Sequence, residues 1–191
     1  MKSSKSSEFE GSVSIAELEY FNSPTAGRVS FETLISEIVN YVKEDPSQRY
    51  QVVVGTDSPG TTVADFVTAI VVRRIGHGGR YWWQRSEPKT FHHNLARERI
   101  YFEVTRSLNV AVLLTERLKQ YFELASQAKK EGEVSMSYHL TIAFEVHIDV
   151  GENGATKDMI REVMGMVRGY GFDAKMKPES YGASVVADRH I

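Results

Sequence analysis

The sequence contains no cysteine among its 191 residues, so disulfide bonds and thiolate zinc sites are excluded. It also lacks any run close to the roughly 18 consecutive apolar residues that a membrane-spanning helix needs, and we expect no membrane partner. The opening stretch, MKSSKSSEFEGS, has no apolar centre of the kind found in signal peptides. We interpret residues 1–29 as a flexible polar tail and expect a cytoplasmic protein.

Residues 30–191 have a length that suits a single folded domain with a substantial core. Hydrophobic residues make up 41% of the chain and charged residues 25%, which is typical of a globular protein rather than a disordered one. No internal repeat is visible, which argues against a solenoid or other repeat architecture.

The pattern of apolar residues predicts an α/β fold. Phe31, Leu34 and Ile38 recur at helical spacing, with Ser30 as a plausible N-cap and Pro46 as a stop. The later elements are predicted from apolar runs and from alternating apolar and polar residues, in segments that Gly- and Pro-containing turns separate. In order, they are strands at 50–58, 65–75 and 80–86, a long helix at 93–122, a strand at 137–151, a helix at 157–169, a strand at 172–178 and a terminal helix at 179–191.

Two acids, Asp57 and Asp149, stand at the carboxyl ends of the first and fourth predicted strands. A helical crossover joins these strands, so we predict a mixed five-stranded sheet of order 3-2-1-4-5, with helices on both faces and strands one and four parallel. The two carboxylates would then lie about 5 Å apart in the pairing direction. Such neighbours repel unless a cation separates them, which favours a divalent metal site. The alternative is that each acid caps a turn.

Several blocks of the sequence resemble the ribonuclease H-like fold and, more closely, the bacterial YkuK-like family of predicted nucleases. The blocks together reach from about Phe31 to the end of the chain. They are VGTDS at 54–58, FVTAIVVRR at 66–74, HIDVGENGATK at 147–157, GMVRGYG at 165–171 and KMKPESYGASVVADRH at 175–190.

The resemblance implies a set of four metal-binding, catalytic carboxylates, which in this sequence are Asp57, Glu103, Asp149 and Asp188. For the acid on the long helix, Glu103 flanks the apolar stripe that faces the sheet, whereas Glu98 lies about 140° away around the helix. Carboxylate oxygens select hard cations such as Mg²⁺ or Mn²⁺. Two such ions can activate water and stabilise the leaving oxygen in phosphodiester cleavage, and the expected activity is therefore that of a nuclease.

Between Arg73 and Arg106 the sequence carries eight basic residues and three acidic ones, together with several aromatic residues. This combination is one signature of nucleic-acid binding, although a solvated strand and helix face would have the same composition. We assign Arg73, Arg74 and Arg85 as candidate nucleic-acid contacts, with RNA or an RNA–DNA hybrid as the favoured partner and structured DNA as a further possibility.

Two other functions fit parts of the sequence. A protein of this fold could bind nucleic acid without cleaving it. Alternatively, DVGENGATK, with Thr156 at the start of a helix, resembles a phosphate-binding loop of actin-like proteins. That class needs a second lobe, for which 191 residues leave little room.

Replacing Arg73, Arg74 and Arg85 together should weaken nucleic-acid binding. Each lost phosphate contact removes about 0.7–0.9 from the slope of log affinity against log salt concentration, so the slope should become shallower. Titrations over a range of salt concentrations measure this change, and an unchanged slope would mean that the segment is only a solvated face.

Overall fold

The structure is a computed structural model that describes residues 15–91, 95–127, 142–151 and 157–191. Three α-helices and nine strands lie within these ranges. The helices are α1 (Phe31–Glu44), α2 (Leu95–Gln127) and α3 (Ile160–Gly169), and a π-helix (Gly182–Ala187) follows near the C-terminus. The strands are β1 (Tyr20–Ser23), β2 (Gly27–Ser30), β3 (Tyr50–Asp57), β4 (Val63–Ala64), β5 (Val67–Arg74), β6 (Gly79–Arg85), β7 (Lys89–Thr90), β8 (Ile142–His147) and β9 (Asp173–Lys175).

The main sheet has seven strands in the order β2-β1-β6-β5-β3-β8-β9. β3 pairs antiparallel with β5 and parallel with β8, and β8 pairs parallel with β9. The predicted mixed α/β fold is therefore confirmed, and the five predicted strands occur in their predicted sequence as β6-β5-β3-β8-β9. The full order differs because β1 and β2 extend the sheet beyond β6. Strands β4 and β7 form a separate two-stranded sheet.

The assignment of residues 1–29 to a flexible tail is corrected for its second half. Tyr20–Ser23 and Gly27–Ser30 form a hairpin, and Phe21 on the first of these strands is fully buried. Gly27 adopts a positive φ of 70°, which suits the hairpin turn. Four-residue strands are too short to show a clear alternation in sequence, which explains the error. Residues 1–14 lie outside the described part of the chain.

Helix α1 begins and ends as its sequence predicts. The Ser30 side chain accepts a hydrogen bond from the backbone N–H of Thr33, and the helix ends at Glu44, two residues before Pro46. Its apolar side chains at helical spacing, including Leu34 and Ile38, enter the main core together with α2 and α3. The capped helix thus covers one face of the sheet.

The two faces of the central strand β3 meet different partners. Val52 and Val54 belong to the core that the sheet forms with the three α-helices. Val53 points the other way, towards Gly182 at the start of the π-helix. Because both faces of this strand are buried, consecutive residues can all be apolar, which explains the three valines in a row.

Long helix α2 spans 33 residues and lies against β3 and β8. Buried residues along one side of it, from Ile100 through Leu114 to Leu118, pack into the main core. The predicted terminal helix is instead the π-helix followed by a 3₁₀ turn over Asp188–His190. No helix within the described ranges is long and apolar enough to cross a membrane.

Leu114→Ala should lower the free energy of unfolding by about 2–5 kcal/mol, because it leaves a cavity beneath the central strands. Leu114 is fully buried, whereas Leu124 on the same helix is 66% exposed. Leu124→Ala is therefore the matched control and should change stability by less than about 0.5 kcal/mol. Urea denaturation of the two variants measures both values, and equal losses would contradict the packing of α2 described above.

Candidate active site

Asp57 and Asp149 lie at the same edge of the sheet. Asp57 ends β3, and in the parallel ladder Gly55 pairs with His147, the last residue of β8. Asp149 follows two residues later. The Asp57 side chain is largely buried, and its Oδ1 accepts a 2.8 Å hydrogen bond from the backbone N–H of Ser58. The parallel pairing thus brings two acids that are 92 positions apart in the sequence to adjoining strand ends.

Glu103 reaches the same edge from α2. Its side chain is buried, and Oε1 accepts a 2.6 Å hydrogen bond from the hydroxyl of Ser58. The guanidinium Nε of Arg99, one turn earlier on the helix, lies 3.5 Å from the same oxygen. Glu98, the other candidate for the helix acid, is exposed. The geometry therefore brings Glu103, and not Glu98, to the end of β3.

The electrostatics show that the acids influence one another. Burial, followed by the charges of Asp149 and Asp188, raises the pKa of Asp57 to about 6. Burial raises the pKa of Glu103 to about 8, with further contributions from the charges of Asp57 and Asp149. Asp149 and Asp188 thus act electrostatically on Asp57, and Asp57 and Asp149 act on Glu103, but burial is the larger cause of both raised pKa values.

Lys177 is a member of the site that the sequence analysis missed. Its Nζ lies 2.9 Å from Asp149 Oδ1, and its pKa is raised by the hydrogen bond to Asp149 and by the charges of Asp149, Asp57 and Asp188. The backbone N–H of Lys177 donates to the carbonyl of Val150, which places the residue beside the end of β8. A signal was present, since Lys177 lies near the end of the strand predicted at 172–178, which was expected beside the Asp149 strand.

Below the acids, a buried chain of polar side chains joins α2 to the sheet. The hydroxyl of Ser107 donates to Thr56 Oγ1 at 2.9 Å, and the hydroxyls of Thr56 and Thr68 lie 3.0 Å apart. Arg106 Nε donates to Thr68 Oγ1 at 2.9 Å. These contacts hold the helix one turn from Glu103 against β3 and β5, because buried polar groups need their partners.

Asp188 occupies the 3₁₀ turn after the π-helix and is exposed. Its charge contributes to the raised pKa of Asp57 and of Lys177, so it lies within electrostatic range of the strand ends. It lies on the opposite face of the sheet from Glu103, because the C-terminal segment packs on the face that the α-helices leave open.

The three arginines predicted to contact nucleic acid are not brought together. Arg74 pairs across the sheet with Tyr50, seven residues before Asp57 on β3, which corresponds to about 23 Å along the strand. Its guanidinium bonds to the hydroxyl of Tyr50 and to Glu44. Arg73 lies at the same distant end. Only Arg85 lies level with the acids, where it bonds to Asp65 and to the carbonyl of His190.

The ribonuclease H-like fold expected from the sequence implies a hard divalent cation bound by carboxylates. No three His, Asp or Glu side chains in the described part of the chain are arranged as a ready-made ligand group. The chemistry nevertheless fits, since the donors are carboxylate oxygens. Burial is the main cause of the raised pKa values of Asp57 and Glu103, and the charges of neighbouring acids, which a cation would compensate, add to it. Ser58 and Lys177 hold two of the carboxylates in the absence of an ion.

Comparison with known proteins agrees with the observed fold and with the resemblance to ribonuclease H-like and YkuK-like proteins that the sequence indicates. The family model described as "Ribonuclease H-like" matches residues 33–191. The chain therefore belongs to the ribonuclease H-like family, and this membership indicates hydrolysis or binding of nucleic acid. It is also 30% identical over 171 residues to "Uncharacterized protein YkuK" of Bacillus subtilis (strain 168). The aligned region covers 88% of this chain and 95% of that protein. No solved structure matches the chain. The resemblance to YkuK-like proteins is thus confirmed.

Stability of the metal-free protein should fall as the pH rises from about 4.5 to about 8. The pKa of Glu103 is raised from 4.5 to about 8, so its contribution to stability is complete below pH 4.5 and is lost as the pH passes through the folded-state value. Asp57 loses its contribution to stability at lower pH, because its folded-state pKa is about 6.

Glu103→Gln keeps an oxygen that can accept the Ser58 hydrogen bond but cannot ionise, so its melting temperature should fall less over this pH range than that of the wild type. Thermal melts in chelator at half-unit steps of pH measure the difference. Glu98→Gln, an exposed change on the same helix, should behave as the wild type. Parallel profiles for all three proteins would contradict the burial of Glu103.

Proposed function

We propose that this protein is a metal-dependent nuclease that hydrolyses phosphodiester bonds in RNA, an RNA–DNA hybrid or structured DNA. The observation that carries the proposal is the convergence of Asp57, Asp149 and the buried Glu103 on one sheet edge, where the pKa values of Asp57 and Glu103 are raised. A charge cluster of this kind destabilises the apo protein, and sites with such perturbed carboxylates are candidates for function.

Asp57, Glu103, Asp149 and Asp188 would hold Mg²⁺ or Mn²⁺. Such ions supply an activated water and stabilise the leaving oxygen of a phosphodiester. Asp57 would hold the metal at the centre of the sheet edge, and Asp149, Glu103 and Asp188 would supply further carboxylate oxygens. Ser58 fixes the orientation of Glu103 through its hydroxyl, and its N–H fixes Asp57.

Lys177 and Arg99 provide the positive charge near the site when no ion is bound. The Lys177 side chain is half exposed, so its ammonium can leave Asp149 and turn towards a phosphate. Arg99 donates to the carbonyl of Pro59 and lies beside Glu103, which ties the turn after β3 to α2. Both residues thus balance charge at the strand ends and hold the surrounding backbone. The proposal includes a cytoplasmic location, where RNA is accessible.

A second candidate is a binding module that does not cleave. It is favoured by the ion pair of Lys177 with Asp149 and the Ser58 bond to Glu103, which satisfy two carboxylates without a metal. A cleft of about 780 Å³ between β1, β6 and α2 is lined by side chains of both charges, and its basic ones could contact phosphate groups. The basic residues are Arg28, Arg85, Lys89 and Arg106, and the acidic ones are Glu17, Glu19 and Glu87. Residues 152–156 of DVGENGATK, the segment that resembles an actin-like phosphate-binding loop, lie outside the described residues.

Asp57→Asn should abolish cleavage of RNA or hybrid substrates in Mg²⁺ or Mn²⁺, because the amide keeps the shape but loses the charge that the ions require. In chelator its melting temperature should equal or exceed that of the wild type, since one member of a repelling carboxylate cluster is neutralised. The melting temperature of the wild type should rise when Mn²⁺ is added, and that of the variant should rise less.

The matched control is Asp173→Asn, an exposed change at the opposite end of β9, which should leave cleavage and the Mn²⁺ response unchanged. Nucleic-acid binding that persists in Asp57→Asn, together with no cleavage and no Mn²⁺-induced stabilisation of the wild type, would support the binding module instead. ATP binding by the wild type would instead support actin-like chemistry.

A further inference from the structure

The C-terminal segment, residues 181–191, lies on the face of the sheet that the α-helices leave open. Ala187 is fully buried and packs with Val67 and Ala69 of β5, and Trp83 of β6 lies against this small cluster. Asp188 is the next residue after Ala187. The position of this acid relative to Asp57 therefore depends on how the segment is held on the sheet.

One anchor of the segment is His147, the last residue of β8. Its ring is 1% exposed, and Nδ1 accepts a 3.0 Å hydrogen bond from the backbone N–H of Gly182. An accepting Nδ1 carries no proton, so the proton of the neutral ring is on Nε2, which donates to Glu145 Oε2 at 3.0 Å. The ring of Tyr181 meets His147 edge-on, with 4.7 Å between centroids.

Gly182 shows how close this contact is. A Cβ atom at this position would lie 2.6 Å from Val53 Cγ1 and 3.2 Å from His147 Nδ1. Only glycine allows the backbone to approach the sheet so closely without a shift of β3 or of the segment. The hydroxyl of Tyr181 adds a 3.0 Å hydrogen bond to Gln51 Oε1 on β3. The start of the π-helix is therefore fixed by backbone and side-chain contacts together.

A second anchor holds the other end. The ring of His190 stacks on Trp83 with 3.8 Å between centroids and an interplanar angle of 7°. Arg85 donates to the carbonyl of His190. Arg85, which the sequence analysis assigned to nucleic acid, thus also holds the chain end. Asp188 lies between the two anchors and near the second one.

We propose that His147 is a positioning residue that docks the C-terminal segment on the sheet, through its bond to the Gly182 N–H, and thereby sets the place of Asp188 beside Asp57. The docking itself is independent of the proposed function. Its consequence for ion binding rests on the proposed role of the four acids. Docking of the segment and ion binding can be measured separately.

Two substitutions separate the roles of the two ring nitrogens. His147→Asn places a side-chain oxygen near the position of Nδ1 and so keeps an acceptor for Gly182. His147→Gln places its polar end near Nε2 and keeps only the contact with Glu145. If docking is the role of His147, amide hydrogen exchange at residues 182–190 should increase at least tenfold in His147→Gln and stay close to wild type in His147→Asn. A purely structural role through Glu145 predicts the reverse order and would overturn the proposal.

Gly182→Ala tests the same contact from the other side. It should release the segment as His147→Gln does, because its Cβ cannot be accommodated. Gly165→Ala, where an added Cβ meets nothing within 4 Å, is the matched control and should leave exchange in the segment unchanged. Exchange in β3 and α1 reports global unfolding, so an increase that is equal throughout the protein would also overturn the proposal.

The link to Asp188 is tested by Mn²⁺ titration followed by melting temperature. His147→Gln and Asp188→Asn should each weaken the apparent Mn²⁺ affinity, and the double variant should be no weaker than Asp188→Asn alone. Additive losses would mean that His147 does not act through Asp188. A wild type that does not respond to Mn²⁺ would contradict the proposed function, whereas the exchange pattern would still decide whether His147 docks the segment.

Discussion

The parallel pairing of β3 with β8 is the constraint on which the site depends. Val54 pairs with Val146 and Gly55 with His147, so β8 ends two residues before the end of β3, and Asp149, two residues after His147, follows at the same edge as Asp57. Because side chains alternate along a strand, a shift of this register by one residue would turn the apolar side chains of β8 away from the core. Burial of Val146 on the helix side therefore fixes the register, and the register fixes the separation of Asp57 and Asp149.

The charge distribution at this edge explains why the site combines acids with Ser58 and Lys177. Buried carboxylates are costly unless they are paired, neutralised or bound to a cation. Glu103 has a raised pKa and a hydroxyl donor, and Asp149 has an ammonium partner. These contacts allow the apo protein to fold around a cluster of negative charge. Ion binding would replace such compensation by a stronger electrostatic interaction.

The two faces of the sheet contribute differently to the site. Glu103 belongs to α2, which is held by the main core and by the polar contacts of Ser107 and Arg106. Asp188 belongs to a short segment that rests on the opposite face and is held by a few specific contacts, with His147 at one end and Trp83 at the other. An acid on such a segment depends on fewer interactions, so its position is the more sensitive to single substitutions.

The sequence by itself determined the α/β class and the five central strands, because apolar periodicity is a local pattern. It named the four acids only as candidates, from the strand-end carboxylates and the resemblance to YkuK-like proteins. It did not reveal β1 and β2, whose four-residue strands show too little alternation. Only the tertiary structure decided that Arg73 and Arg74 lie far from the acids, that Lys177 lies beside Asp149, and that His147 faces Gly182. These are contacts between residues distant in sequence, and they are set by register and packing, which no local pattern encodes.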